Sequence, residues 1–113
     1  MMVKRLPRLK FCVDIAHSEA AGDDALAFIR RFGKRIITTH IKDYSWKYDS
    51  FVELGRGDGR LDVAACVKGL ARAGYDGWLT VELDKRFERL PGKVRTPLES
   101  AKMCRRYLKR CGY

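Results

Sequence analysis

The sequence predicts an α/β fold built on a parallel sheet, and three observations predict it. Four apolar runs, FCVDIAH, RIITTHIKD, FVELGRGDG and GWLTVELD, carry the period of two expected of strands. Capped segments with helical spacing lie between the first and second runs and between the third and fourth, which is the alternation of βαβ units with right-handed crossovers. Length sets the scale: 113 residues make one domain at most, and a compact fold of that size buries roughly two thirds of its unfolded surface.

Residues 1–10, MMVKRLPRLK, read as a basic tail whose first seven or so residues fray. No apolar stretch follows those charges, so the tail is no secretory signal. No run in the chain approaches the roughly 18 residues of a membrane span, and the reading is a soluble, cytoplasmic protein without membrane contact. The first strand then sets Phe11, Val13 and Ile15 on one face and Cys12 and Asp14 on the other. In GDDALAFIRRFG, Asp23 or Asp24 caps a helix with Leu26, Phe28, Ile29 and Phe32 as its apolar stripe, and Gly33 ends it. The second strand opposes Ile37, Thr39 and Ile41 to Thr38, His40 and Lys42. A polar stretch leads into FVELGRGDG, a short third strand breaking into glycines. Asp62 caps the next helix, with Val63, Val67 and Leu70 as its apolar residues and Gly74 as its stop. The fourth strand opposes Leu79, Val81 and Leu83 to Trp78, Thr80 and Glu82. Thr96, Pro97 and Glu99 then spell a capping box for a last helix whose stripe is Leu98, Ala101, Cys104, Tyr107 and Leu108.

Composition narrows the class. Hydrophobic residues at 46% against 34% charged exclude a disordered or collagen-like chain. The four cysteines, Cys12, Cys66, Cys104 and Cys111, stand singly in apolar patterns with no CxxC pair, as reduced packed thiols do. A net charge of +10 would suit an anionic partner, but Lys102, Arg105, Arg106 and Lys109 fall on one helix face and read as its solvated side.

The strand faces carry the functional signal. Asp14, His40 and Glu82 project from the polar face near the C-terminal ends of three parallel strands, the end at which (β/α) barrels assemble their sites. Neighbouring strands lie about 4.8 Å apart, so these side chains can converge on one divalent cation. Two carboxylates and an imidazole suit Mn²⁺, Co²⁺ or Mg²⁺ better than Zn²⁺. Each residue also has a plainer use: Asp14 as a loop cap, His40 as a hydrogen-bonded core histidine, Glu82 as a partner of Lys42.

Four ordered motifs over about residues 11–110 resemble the sugar phosphate isomerase/epimerase superfamily of xylose isomerase-like TIM barrels, which includes inosose dehydratases and ketose 3-epimerases. They are VDIAH for D-x-x-H, THIKD for H-x-K-D, LGRGDGRLD for the G-x-G stretch, and GYDGWLTVELD for the glutamate-bearing end. The resemblance implies a partial barrel: residues 11–113 as its C-terminal half, about four parallel βα units where a full barrel needs eight. It implies Asp14, His40 and Glu82 as metal ligands, Glu82 and His17 as catalytic residues, and His17, Lys42 and Arg56 as contacts to a sugar or cyclitol. The implied chemistry is metal-assisted removal of a proton next to a carbonyl, ending in isomerisation, epimerisation or dehydration. The family's fourth ligand, a glutamate on a preceding strand, has no counterpart, so the chain reads as truncated, weakly active or inactive alone, and completed by a second copy or a complementing N-terminal half-barrel chain.

Two rival readings stand beside this one. VDIAHSEAAGDD also resembles endonuclease IV type DNA repair enzymes, which act on abasic sites, and the basic charge favours nucleic acid. That family needs a D-x-H pair before its G-x-G to hold further zinc ions, and here Asp49 is followed by Phe51 in place of the histidine, so a nucleic-acid partner is not expected. The other rival is a metal-free binding or assembly module that keeps the half barrel as a scaffold. A shift in melting temperature with Mn²⁺ that vanishes on replacing Asp14 and His40 separates an enzyme site from it.

Overall fold

The computed structural model describes residues 5–84 and 86–113. Three strands, β1 (Phe11–Asp14), β2 (Ile36–Ile41) and β5 (Leu79–Val81), form a parallel sheet in the order β1-β2-β5. Between them the chain makes α1 (Ile15–Ala20), α2 (Ala25–Phe32), a hairpin of β3 (Asp43–Ser45) and β4 (Ser50–Val52), and α3 (Val63–Arg72); α4 (Pro97–Arg110) follows β5. This is a partial barrel of parallel βα units, and the sheet does not close.

Among the described residues the parallel strands number three where the sequence suggested about four. FVELGRGDG contributes β4, which pairs antiparallel with β3 in the register Asp43↔Val52 and Ser45↔Ser50. The reason is the link: only residues 46–49 separate the two strands, which permits a hairpin and forbids a parallel crossover.

The helices form where the caps predict. Asp24, Asp62 and Thr96 each accept a backbone N–H at a helix start, and Thr96 with Glu99 completes the capping box. Gly74 closes α3 with φ of +84°, a conformation glycine adopts without strain. Gly33 ends α2 for another reason. Its φ of −52° is ordinary, but a side chain there would collide with the Cβ of Ala73 beyond α3, so the absence of a Cβ lets the two helices approach.

The three longer helices, α2, α3 and α4, pack their apolar residues against one face of the sheet. Val13 and Ile41 meet Ile29 of α2, Cys66, Val67 and Leu70 of α3, and Cys104 and Leu108 of α4 in one apolar cluster. The opposite face, the one that would line a barrel, is open: Cys12, Thr38 and Thr80 are exposed, and Trp78 beside it is 89% exposed. Cys12 is therefore not a packed thiol, whereas Cys66 and Cys104 are buried.

Three packing expectations shift. Ile15 begins α1 instead of extending β1, because Asp14 caps that helix. Ile37 is 63% exposed while Ile36 is buried, since the β1–β2 register slips between Phe11 and Cys12 and rotates this end of β2. Leu98 is also 63% exposed, because the inward position of the first turn of α4 belongs to Ser100, whose Oγ donates to the buried Glu53 carboxylate at 2.7 Å. The basic residues Lys102, Arg105, Arg106 and Lys109 are all exposed, as a solvated face should be. The guanidinium of Arg35 donates to the carbonyls of Leu6 and Leu9 in the tail, and of the residues expected to fray, 1–4 lie outside the described residues. No helix among the described residues is long and apolar enough to cross a membrane.

Candidate metal centre

Asp14 stands at the junction of β1 and α1 and serves both. Its Oδ1 accepts the backbone N–H groups of Ala16 and His17 at 3.2 and 3.0 Å, which is the helix cap. Its Oδ2 faces the neighbouring strands, 3.8 Å from Nδ1 of His40 and 3.8 Å from Nε2 of His17. Asp14 thus caps α1 with one oxygen, where a loop cap was foreseen, and turns the other toward His17 and His40.

His40 is paired directly with Asp14 in the β1–β2 register, and on its other flank Glu82 follows the last residue of β5. The Nδ1 of His40 lies 2.9 Å from Oε2 of Glu82. One ligand atom each from Asp14, His40 and Glu82 falls within 4.8 Å of the others, all partly exposed, and parallel strands bring them together because each sits at the same end of its strand. Two carboxylate oxygens and one imidazole nitrogen converging so closely fit a divalent cation bound through hard and borderline donors.

Lys42 partners Glu82, the plainer use foreseen for that carboxylate, but its full burial was not foretold. One step beyond β2, it has no exposed side-chain surface, and its Nζ lies 2.7 Å from Asp14 Oδ2, 2.7 Å from Glu82 Oε2 and 3.3 Å from Asp84 Oδ2. It also stands 5.1 Å from the ring centre of Phe51. Burial alone would lower its pKa, but hydrogen bonds and the charges of Asp14 and Glu82 more than offset that, and the ammonium is held above its ordinary value. The same hydrogen bond from Lys42 leads the effects that hold the Glu82 carboxyl below its ordinary range.

His17 is exposed beside Asp14, its ring 4.5 Å from that of Phe51. Phe51, noted in the sequence for replacing a metal-binding histidine, is thus a shared apolar wall beneath His17 and Lys42. Arg56 does not join the cluster: it is exposed in the loop after β4, where its backbone N–H bonds the carbonyl of Glu53. That loop is stitched by Asp43, whose carboxylate accepts from the N–H groups of Tyr44, Gly55 and Gly57. Burial pushes the Asp43 carboxyl above its ordinary value against those hydrogen bonds. A side chain at Gly57 would strike the Asp43 carboxylate, which gives the G-x-G stretch its physical sense.

Asp84 and Asp43 were legible in principle. Asp84 lies two residues beyond Glu82 and so on the same side of an extended chain, and Asp43 follows Lys42 in the same motif. Phe51 left no such signal, because its contacts depend on the hairpin.

Comparison with known proteins relates the chain to a described family. A family model described as xylose isomerase-like TIM barrel matches residues 2–110. A rhizopine catabolism protein, MocC, of Rhizobium meliloti is 32% identical, over 69% of this chain and 29% of its own length. An inosose dehydratase of Clostridium tetani is also 32% identical, over 84% of this chain and 35% of its own length. The chain thus spans about a third of the length of the curated relatives it matches.

Proposed function

The chain belongs to the xylose isomerase-like TIM barrel family, a family of sugar isomerase and epimerase type, and from that premise we propose that it carries a metal site for removing a proton next to the carbonyl of a sugar or cyclitol. The observation that carries this reading is the convergence of the Asp14, His40 and Glu82 ligand atoms within 4.8 Å. These three would hold Mn²⁺, Co²⁺ or Mg²⁺ in preference to Zn²⁺. When bound, such an ion supplies a Lewis acid for the carbonyl and adjacent hydroxyl oxygens of the substrate.

The chain's own residues supply the rest. Glu82, whose side chain is 41% exposed, is the base that takes the proton from carbon. His17, exposed above Phe51, orients a hydroxyl or returns a proton. Arg56 can reach an anionic or hydroxyl-rich substrate from its exposed loop, whereas Lys42, expected as a substrate contact, is fully buried and does not touch it. A second copy or a complementing N-terminal half-barrel chain would cover the open sheet face, a role supported by the exposure of Trp78 and Ile37 and by the share of the relatives that the chain spans. The endonuclease reading is not adopted, because Phe51 offers no metal ligand where that chemistry requires one.

The test is deuterium exchange. An inosose or a ketose is incubated in D₂O and Mn²⁺ with the chain, alone and mixed with the part of the inosose dehydratase relative that this chain does not match, and the carbon next to the carbonyl is followed by NMR. Exchange in either sample that disappears with Glu82→Gln supports the proposal. Absence of exchange in both, with Mn²⁺ bound, contradicts it.

A further inference from the structure

Asp14 has one oxygen to offer a cation, and Lys42 already holds it. Oδ1 is committed to the backbone N–H groups that cap α1, so only Oδ2 faces the cluster. The ammonium of Lys42 sits 2.7 Å from that Oδ2 and 2.7 Å from Oε2 of Glu82, the same two atoms that approach Nδ1 of His40. Two cations cannot share those oxygens at full strength, since each would face the other's charge across a single atom. The ammonium has somewhere to go: Asp84 Oδ2 lies at 3.3 Å and the face of Phe51 at 5.1 Å, so it can release both oxygens and stay partnered.

Resting on the metal-site reading above, we propose that Lys42 is a resident cation that holds the metal-free site together and is displaced toward Asp84 when a divalent ion binds. Metal loading and Lys42 burial are then mutually exclusive at Asp14 Oδ2. The lysine keeps two adjacent carboxylates from repelling each other when no divalent ion lies between them, and it lowers metal affinity in return. An opposite charge beside a carboxylate commonly changes its proton affinity by about ten- to a thousandfold, and competition for a metal should be of similar order.

The test uses Mn²⁺ alone and the full chain. Calorimetric titration should show Mn²⁺ binding Lys42→Met at least about tenfold more tightly than wild type. The rise in melting temperature on saturation should also be larger in the variant, because Mn²⁺ replaces the missing ammonium. Mn²⁺ binding to wild type with equal or weaker binding to the variant would overturn the displacement while leaving the metal site intact. Binding to neither protein would overturn the site itself. Reductive methylation of wild type, mapped by mass spectrometry, does not depend on the variant folding. Lys42 should be labelled slowly without metal and severalfold faster with Mn²⁺, and an unchanged rate would overturn the proposal.

Discussion

Replacing Asp14 separates its two duties, and their sizes follow from the geometry. The cap made by Oδ1 to the N–H groups of Ala16 and His17 is worth about 1 kcal/mol. The other oxygen lies 2.7 Å from an ammonium with no exposed side-chain surface, and the Asp14 side chain is itself only 16% exposed. At that separation the bare attraction is about 6 kcal/mol with an effective dielectric of about 20. Desolvation and the partnership of Lys42 with Glu82 offset most of it, leaving about 2 kcal/mol, the net worth of a charged hydrogen bond. Asp14→Asn keeps an oxygen for the cap but turns an amide NH₂ toward the ammonium, so it should cost about 2 kcal/mol. Asp14→Ala loses both interactions and should cost about 3 kcal/mol. Urea unfolding in the presence of a chelator measures both losses. In a Lys42→Met background the Asn substitution should cost less than about 0.5 kcal/mol, because its partner is gone. Equal losses for Asn and Ala, or an Asn loss that survives in the Lys42→Met background, would refute this division.

Gly33→Ala should destabilise the fold by about 1–3 kcal/mol in the same assay, because its methyl would overlap Ala73; a neutral result would mean that α2 and α3 do not meet there. Alkylation at neutral pH should modify Cys12 on the open sheet face while sparing Cys66, which is buried with its thiol pushed up to about 12 by desolvation; early labelling of Cys66 would contradict the core packing. The Lys42–Glu82 pair also sets a pH window. Glu82, held below its ordinary 4.5, contributes stability above that value and loses it as pH falls through its lower folded pKa, whereas Lys42, held above its ordinary 10.5, contributes below that value and loses it as pH rises through its higher folded one. The stability difference between wild type and Lys42→Met should therefore be level between these values and shrink on either side, and a difference independent of pH would show that the pair is not ionised.

Much of this was legible in the sequence because the signals are local. Period-two runs placed β1, β2 and β5, capping residues placed three helices, and equivalent positions at strand ends brought Asp14, His40 and Glu82 together. What escaped depends on contacts between segments distant in the chain. The four-residue link before Ser50 turned an expected parallel strand into a hairpin, the register slip at Phe11 exposed Ile37, and the Ser100–Glu53 hydrogen bond turned Leu98 outward. The Lys42–Glu82 pair was foreseen, but the burial of Lys42 escaped for a related reason. A lysine past a strand end ordinarily reaches solvent, and only the charges of Asp14, Glu82 and Asp84 around its ammonium make full burial tolerable.

The most direct test of the metal site is anomalous diffraction from crystals of the chain soaked in Mn²⁺. The account predicts a peak contacted by Asp14, His40 and Glu82, with the Lys42 ammonium moved toward Asp84. Saturating Mn²⁺ with no peak between those three side chains would contradict it.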